Sequence, residues 1–228
     1  MAGWRVAVVV PFAACIVASC DSTVATEPLD LEPGYDFTLE AVGPAVVYRW
    51  PSSGEVRFYA APSGDRARDR LLEGALEHAV LDWADAMGPE GPRLRVTRRR
   101  EEADVVVQWS DAPSPLELSG CPPRVTGRAA TTFCPNPGGD GLRPYPWASD
   151  GAESGVRMVV TILGEEATGE TRVRQLVAHE LGHALGIGRH SPDPGDLMWG
   201  GPLQTVRPSA ADRATVRRLY RTAPTLRP

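Results

Sequence analysis

The sequence contains no lysine. All 24 basic side chains are arginine, set against 29 acidic ones, for a net charge of −5. No stretch concentrates charge of one sign. The longest basic cluster, Arg98 to Arg100, runs straight into Glu101 and Glu102. The clustered basic face that nucleic acid requires is missing, so no nucleic-acid partner is expected. Long apolar runs are scarce as well. Val6 to Val17 gives about a dozen apolar residues, which suits a signal-peptide core and is too short to span a bilayer comfortably. There is no internal repeat. Cysteine and histidine occur only four times each, which makes their positions informative.

The apolar run ends Val17-Ala18-Ser19-Cys20. This resembles a bacterial lipobox, in which a small-residue stretch precedes a cysteine that is lipidated and becomes the first mature residue. The alternative is an ordinary signal peptide cut near Ala18 or Ser19, with Cys20 incidental. Residues 1–19 are expected to be a signal peptide in either case, and the mature chain to leave the cytosol, lipid-anchored in the envelope or secreted. Residues 20–44 are polar, acidic and proline-containing without periodicity, and read as a tether. The domain is expected over 45–228, and 228 residues suffice for one medium domain with a core. Cys15 falls inside the signal core. Cys121 and Cys134 remain as a pair in an oxidising compartment, where a disulfide is expected. Closing so short a loop would contribute on the order of 3 kcal/mol in the chain-entropy model.

Within the domain, Val56, Phe58 and Ala60 alternate with polar residues, as in a strand. A helix is predicted over 65–87, with Leu72, Leu76, Ala79, Val80, Trp83 and Met87 on one face and Gly88 at its stop. Leu94 and Val96 alternate again. Asp104 to Trp109 reads as a buried β-branched strand. Residues 111–153, rich in Pro, Gly and Ser, read as a long loop of the kind that is functional or locally stapled. Val156, Met158, Val160 and Ile162 mark another strand. A helix is predicted from about Thr171 to Leu185, then a Pro/Gly-rich loop over 191–208. A last helix opens with the capping-box-like Ser209-Ala210-Ala211-Asp212. This order predicts a single α+β domain.

The chemistry concentrates in residues 179–190, HELGHALGIGRH. Residues four apart share a helix face, so His179 and His183 present two imidazoles to one point. Zinc takes imidazole nitrogen at ~2.0–2.1 Å, and catalytic sites commonly use three protein ligands and keep a position for water. Glu180 is rotated from His179 by about a quarter turn. It can flank such a water as general base without binding the metal. Gly186 ends the helix and lets the chain turn, bringing back His190 as third ligand, with Asp193 as the fallback. His78, the remaining histidine, is expected at the surface or at a boundary.

This stretch resembles the metzincin zinc peptidases, and among them the matrixins. Their pattern is HExxHxxGxxH followed by a Met-turn. His179, Glu180, His183 and Gly186 match it. Arg189 stands where the third histidine is expected and His190 comes one residue later, a shift that Gly188 can absorb. Asp196-Leu197-Met198-Trp199 resembles the Met-turn, with Met198 beneath the metal and not bound to it. Val47-Tyr48-Arg49-Trp50-Pro51 resembles the start of the matrixin catalytic domain, Ala103 to Val106 its acid-led strand, and Ser209 to Tyr220 its closing helix. The resemblance covers roughly residues 45–221. It implies a mixed β-sheet packed on a long helix and an active-site helix, with a C-terminal helix, one catalytic Zn2+, and an extended protein or peptide substrate bound along the sheet edge. The PRCGxPD segment that caps the zinc in animal matrixins is absent. The family's structural zinc and calcium sites are not evident either. Asn136 to Gly141 (NPGGDG) could hold Ca2+, but it reads more simply as a turn, and Ca2+ is not otherwise supported.

The sequence therefore predicts a monomeric zinc metalloendopeptidase, with membrane contact only through the lipid anchor. A non-catalytic zinc-binding envelope lipoprotein and an adhesion module built on the cysteine-stapled loop are the competing readings.

Overall fold

The computed structural model describes residues 34–39, 45–111, 129–133, 156–164 and 167–226. The signal segment, Cys20, the Cys121–Cys134 pair and the Asn136–Gly141 turn lie outside them.

The described chain is α+β, a mixed five-stranded sheet with three helices. Strand β1 (Glu55–Ala60) leads into helix α1 (Arg66–Met87), then β2 (Arg93–Val96) and β3 (Val105–Ser110). Strands β4 (Ala129–Phe133) and β5 (Met158–Leu163) precede helices α2 (Glu170–Ala184) and α3 (Ala210–Arg221). The order across the sheet is β2-β1-β3-β5-β4. The first four strands run parallel, and β4 closes one edge antiparallel to β5. Among the described residues no helix is long and apolar enough to cross a membrane.

Local chemistry explains where the helices start. Asp65 caps α1, accepting from the amides of Ala67 and Arg68. Ser209 and Asp212 form a reciprocal capping box on α3. The apolar face of α1 anticipated from its spacing is buried throughout, from Leu72 to Met87, and packs against α2. His78 is exposed.

Two features depart from the sequence reading. Strand β4 lies inside the stretch expected to be loop. Its AATTF run offers too little apolar alternation to be seen between Pro/Gly-rich flanks, and it exists because β5 pairs with it. All six residues of β5 are buried, where the sequence marked only every second one, Met158, Val160 and Ile162, as apolar strand positions. Met158, Val160 and Ile162 join the main core with the helices, while Val159 joins a second apolar cluster with Ala103, Val106 and Val156.

Of the segment expected to be a tether, residues 34–39 are described, and they dock on the domain. Phe37 and Leu39 are buried in the main core. The Tyr35 amide donates to Thr215 on α3 at 2.9 Å, and its hydroxyl donates to Asp212 at 2.5 Å. Asp36 pairs with Arg189 at 3.0 Å.

Candidate metal centre

Helix α2 is held at its C-terminal end, where the last carbonyls lack intrahelical donors. The indole of Trp50 donates to the Ala184 carbonyl at 2.9 Å and the hydroxyl of Tyr220 to the Leu185 carbonyl at 3.1 Å. Nearly two turns back, the Trp83 indole donates to the Ala178 carbonyl at 2.7 Å. These partners come from the start of the domain, from α3 and from α1, so three distant segments fix the helix that carries His179, Glu180 and His183.

The helix ends in a Schellman turn. The Gly186 amide donates to the His183 carbonyl and the Ile187 amide to the Gly182 carbonyl, both at 3.0 Å. Gly186 has φ +114°, and a Cβ there would lie 2.2 Å from the Tyr48 carbonyl oxygen. Only glycine suits that position. The turn does more than reverse the chain. It aims the Ile187 carbonyl back at His183, whose Nδ1 lies 2.6 Å away. His179 Nδ1 lies 2.7 Å from the Leu197 carbonyl in the same manner. A carbonyl oxygen only accepts, so both Nδ1 atoms carry the proton and both Nε2 atoms present lone pairs.

His190 completes the group. After the turn, the Gly188 amide donates to the Phe37 carbonyl at 2.9 Å. A Cβ at Gly188 would sit 2.6 Å from the Thr38 carbonyl oxygen. This close approach to residues 37–38 carries the chain past Arg189, which turns to Asp36, and delivers His190 one residue late. The three rings gather with centroids 4.9, 5.2 and 5.1 Å apart. Their ligating nitrogens all fall within 4.8 Å of one another, close enough to bind a metal ion.

The donor set fits such an ion. Tetrahedral ligands at ~2.0–2.1 Å from an ion stand ~3.3 Å apart. The Nε2 atoms of His183 and His190 are 3.3 Å apart. Asp193 does not join the cluster among the described residues; its carboxylate accepts from the Gly195 amide at 2.7 Å within its own turn. Met198 is buried and packs beneath Gly182 on the helix.

A network the sequence did not disclose supports the far side. The buried Asp212 carboxylate accepts from the amides of Leu197 (2.8 Å), Met198 (3.3 Å) and Ser209 (2.8 Å) as well as from Tyr35. The sequence marked Asp212 only as a cap. It also holds the turn whose Leu197 carbonyl orients His179. The hydroxyl of Thr131, on β4, bonds the Glu180 carboxylate at 2.8 Å. Neither link has a local sequence signal, because each joins segments far apart in the chain.

Burial sets the electrostatics. It pushes His179 down to about 3, aided by the facing His183, and His190 down to about 4. His183 is lowered too, again by burial. All three imidazoles are therefore neutral near pH 7, the form that ligates metal. Burial pushes Glu180 up to about 7, against the Thr131 hydrogen bond, which favours the carboxylate.

A raised carboxyl pKa costs stability as pH rises. Below the unfolded value near 4.5 both states hold the proton, and between there and about 7 the unfolded chain loses it first. Metal-free Glu180→Gln lacks that loss. Its stability advantage over the metal-free wild type is expected to grow from pH 4.5 to 7 by on the order of 3 kcal/mol and then level off. Urea melts of both proteins across that range would show it. A difference independent of pH would mean that Glu180 is not held in a desolvated site.

No family model matches the chain, and no curated protein matches it.

Proposed function

We propose that this chain is a zinc-dependent endopeptidase of metzincin type, closest in its motif to the matrixins. The observation that carries the reading is the convergence of His179, His183 and His190 with a buried carboxyl, Glu180, one residue along from the first ligand. A plain metal-storage site has no use for a desolvated carboxyl beside its ligands. A hydrolase does, because such a group exchanges protons near neutral pH.

The three imidazoles would hold the ion, and Leu197, Ile187 and the Schellman turn keep them aimed. When bound, zinc supplies Lewis acidity, polarising a carbonyl and making water a better nucleophile. Glu180 accepts a proton from the water that attacks the scissile carbon. A C–O bond forms, the C–N bond breaks, and Glu180 returns the proton to the leaving amine. Among the described residues, strand β4 sits at the sheet edge beside α2. An edge strand offers unpaired backbone groups on which an extended peptide can add as a further strand. This placement supports an unfolded or extended protein substrate.

The same reading takes the protein as an exported monomer, anchored by lipid on Cys20 or secreted, with a Cys121–Cys134 disulfide. The competing picture of a weak two-histidine binding protein relied on His190 missing the site, and His190 lies within the cluster.

The test is direct. Zinc-loaded protein incubated with an unfolded protein is expected to generate internal cleavages, read by mass spectrometry of new N-termini and abolished by a chelator. Metal-bound protein that cleaves no unfolded chain or peptide library would leave a non-catalytic metal binder as the better account.

A further inference from the structure

The hydroxyl of Thr131 is an oxygen shared between two atoms of one residue. It stands 2.8 Å from Glu180 Oε2 and 2.9 Å from the Glu180 backbone carbonyl. Thr131 sits in the middle of β4, paired with Val160 of β5. Among the described residues no other group bonds the Glu180 carboxylate. We propose that Thr131 is a positioning residue that fixes the Glu180 carboxylate against the peptide-binding edge strand. The proposal rests on the peptidase reading above and names a second residue for that reaction.

A glutamate side chain has several rotatable bonds, and ordering it costs up to ~2 kcal/mol. Burial alone excludes solvent but does not choose a rotamer. A hydroxyl whose single proton lies between the carboxylate and the backbone carbonyl of the same residue does choose one, because only the rotamer that brings Oε2 beside that carbonyl reaches it. Oε2 is thereby engaged and Oε1 is left to meet water. The hydroxyl belongs to the strand on which an extended peptide would lie. The base and the scissile bond are then referenced to one element, β4, and a displacement of ~1 Å between them costs ~100-fold in rate. A role confined to packing β4 on α2 would need the volume of Thr131 and not its oxygen.

The test compares full-length zinc-loaded wild type with T131V, which keeps the shape and removes the hydroxyl, and T131S, which keeps the hydroxyl. T131A serves as the removal variant if T131V does not fold. T131V is expected to lower kcat ~10–100-fold, with KM and zinc content within about twofold of wild type, and T131S to recover most of the loss. Crystal structures are expected to show one carboxylate orientation in wild type and T131S, and a rotated or split one in T131V. Wild-type kcat in T131V, failure of T131S to recover, or an unmoved carboxylate in T131V would each overturn the proposal. If wild type cleaves nothing, the peptidase reading fails, and the crystal structures alone decide whether Thr131 sets the carboxylate.

Discussion

Glu180→Gln is expected to leave the metal bound and to reduce peptide hydrolysis by roughly 10²–10⁴-fold, the range that a positioned general base contributes. Metal retention follows from how the ligands are oriented. His179 is aimed by the Leu197 carbonyl and His183 by the Ile187 carbonyl, at 2.7 and 2.6 Å. Neither relies on Glu180. Glutamine has nearly the same volume and keeps an oxygen able to accept from Thr131, so the helix and strand remain in register. What is lost is the ability to take and return a proton. The measurement pairs elemental zinc content with initial rates on one peptide. Equal rates in variant and wild type would remove Glu180 from the chemistry.

His190→Ala is expected to release the metal. Two imidazoles on α2 remain, and an ion with two protein ligands is held far less tightly. The loss in affinity should exceed the ~10–100-fold that outer-shell changes cost. Arg189→Ala and Asp193→Ala provide the contrast. The sequence pattern puts its third ligand at 189, and Asp193 was the fallback. Yet Arg189 pairs with Asp36 and Asp193 serves its own turn. Both variants should keep close to one zinc per chain. Competition titration with a metal indicator would read all three. Metal retained by His190→Ala but lost from Asp193→Ala would transfer the ligand role.

Much of the scaffold was legible because its signals are local. The spacing from Leu72 to Met87, the cap at Ser209, and the β-branched run at Val105 each describe a stretch in contact with itself. The same is true of His179, Glu180 and His183, where helical periodicity alone brings the groups together. Gly186 was readable as a turn, and it is one, though the reason only glycine fits is the Tyr48 carbonyl, far away in sequence. What the sequence hid are relations across the chain. β4 exists through β5. Thr131 matters only because β4 passes Glu180. Tyr35 and Asp212 join the start of the domain to its closing helix beneath the Leu197–Met198 turn. His190 reaches the cluster because residues 37–38 approach Gly188, and a motif with a fixed spacing does not register that brace.

The central claim is best tested by removing all metal from the full-length protein and adding zinc back while following both binding and cleavage of an unfolded protein. The account predicts that activity rises linearly with zinc, reaches its maximum at one equivalent per chain, and stays absent in Glu180→Gln at the same occupancy. Binding of one equivalent without cleavage, or cleavage that is indifferent to zinc, would contradict it.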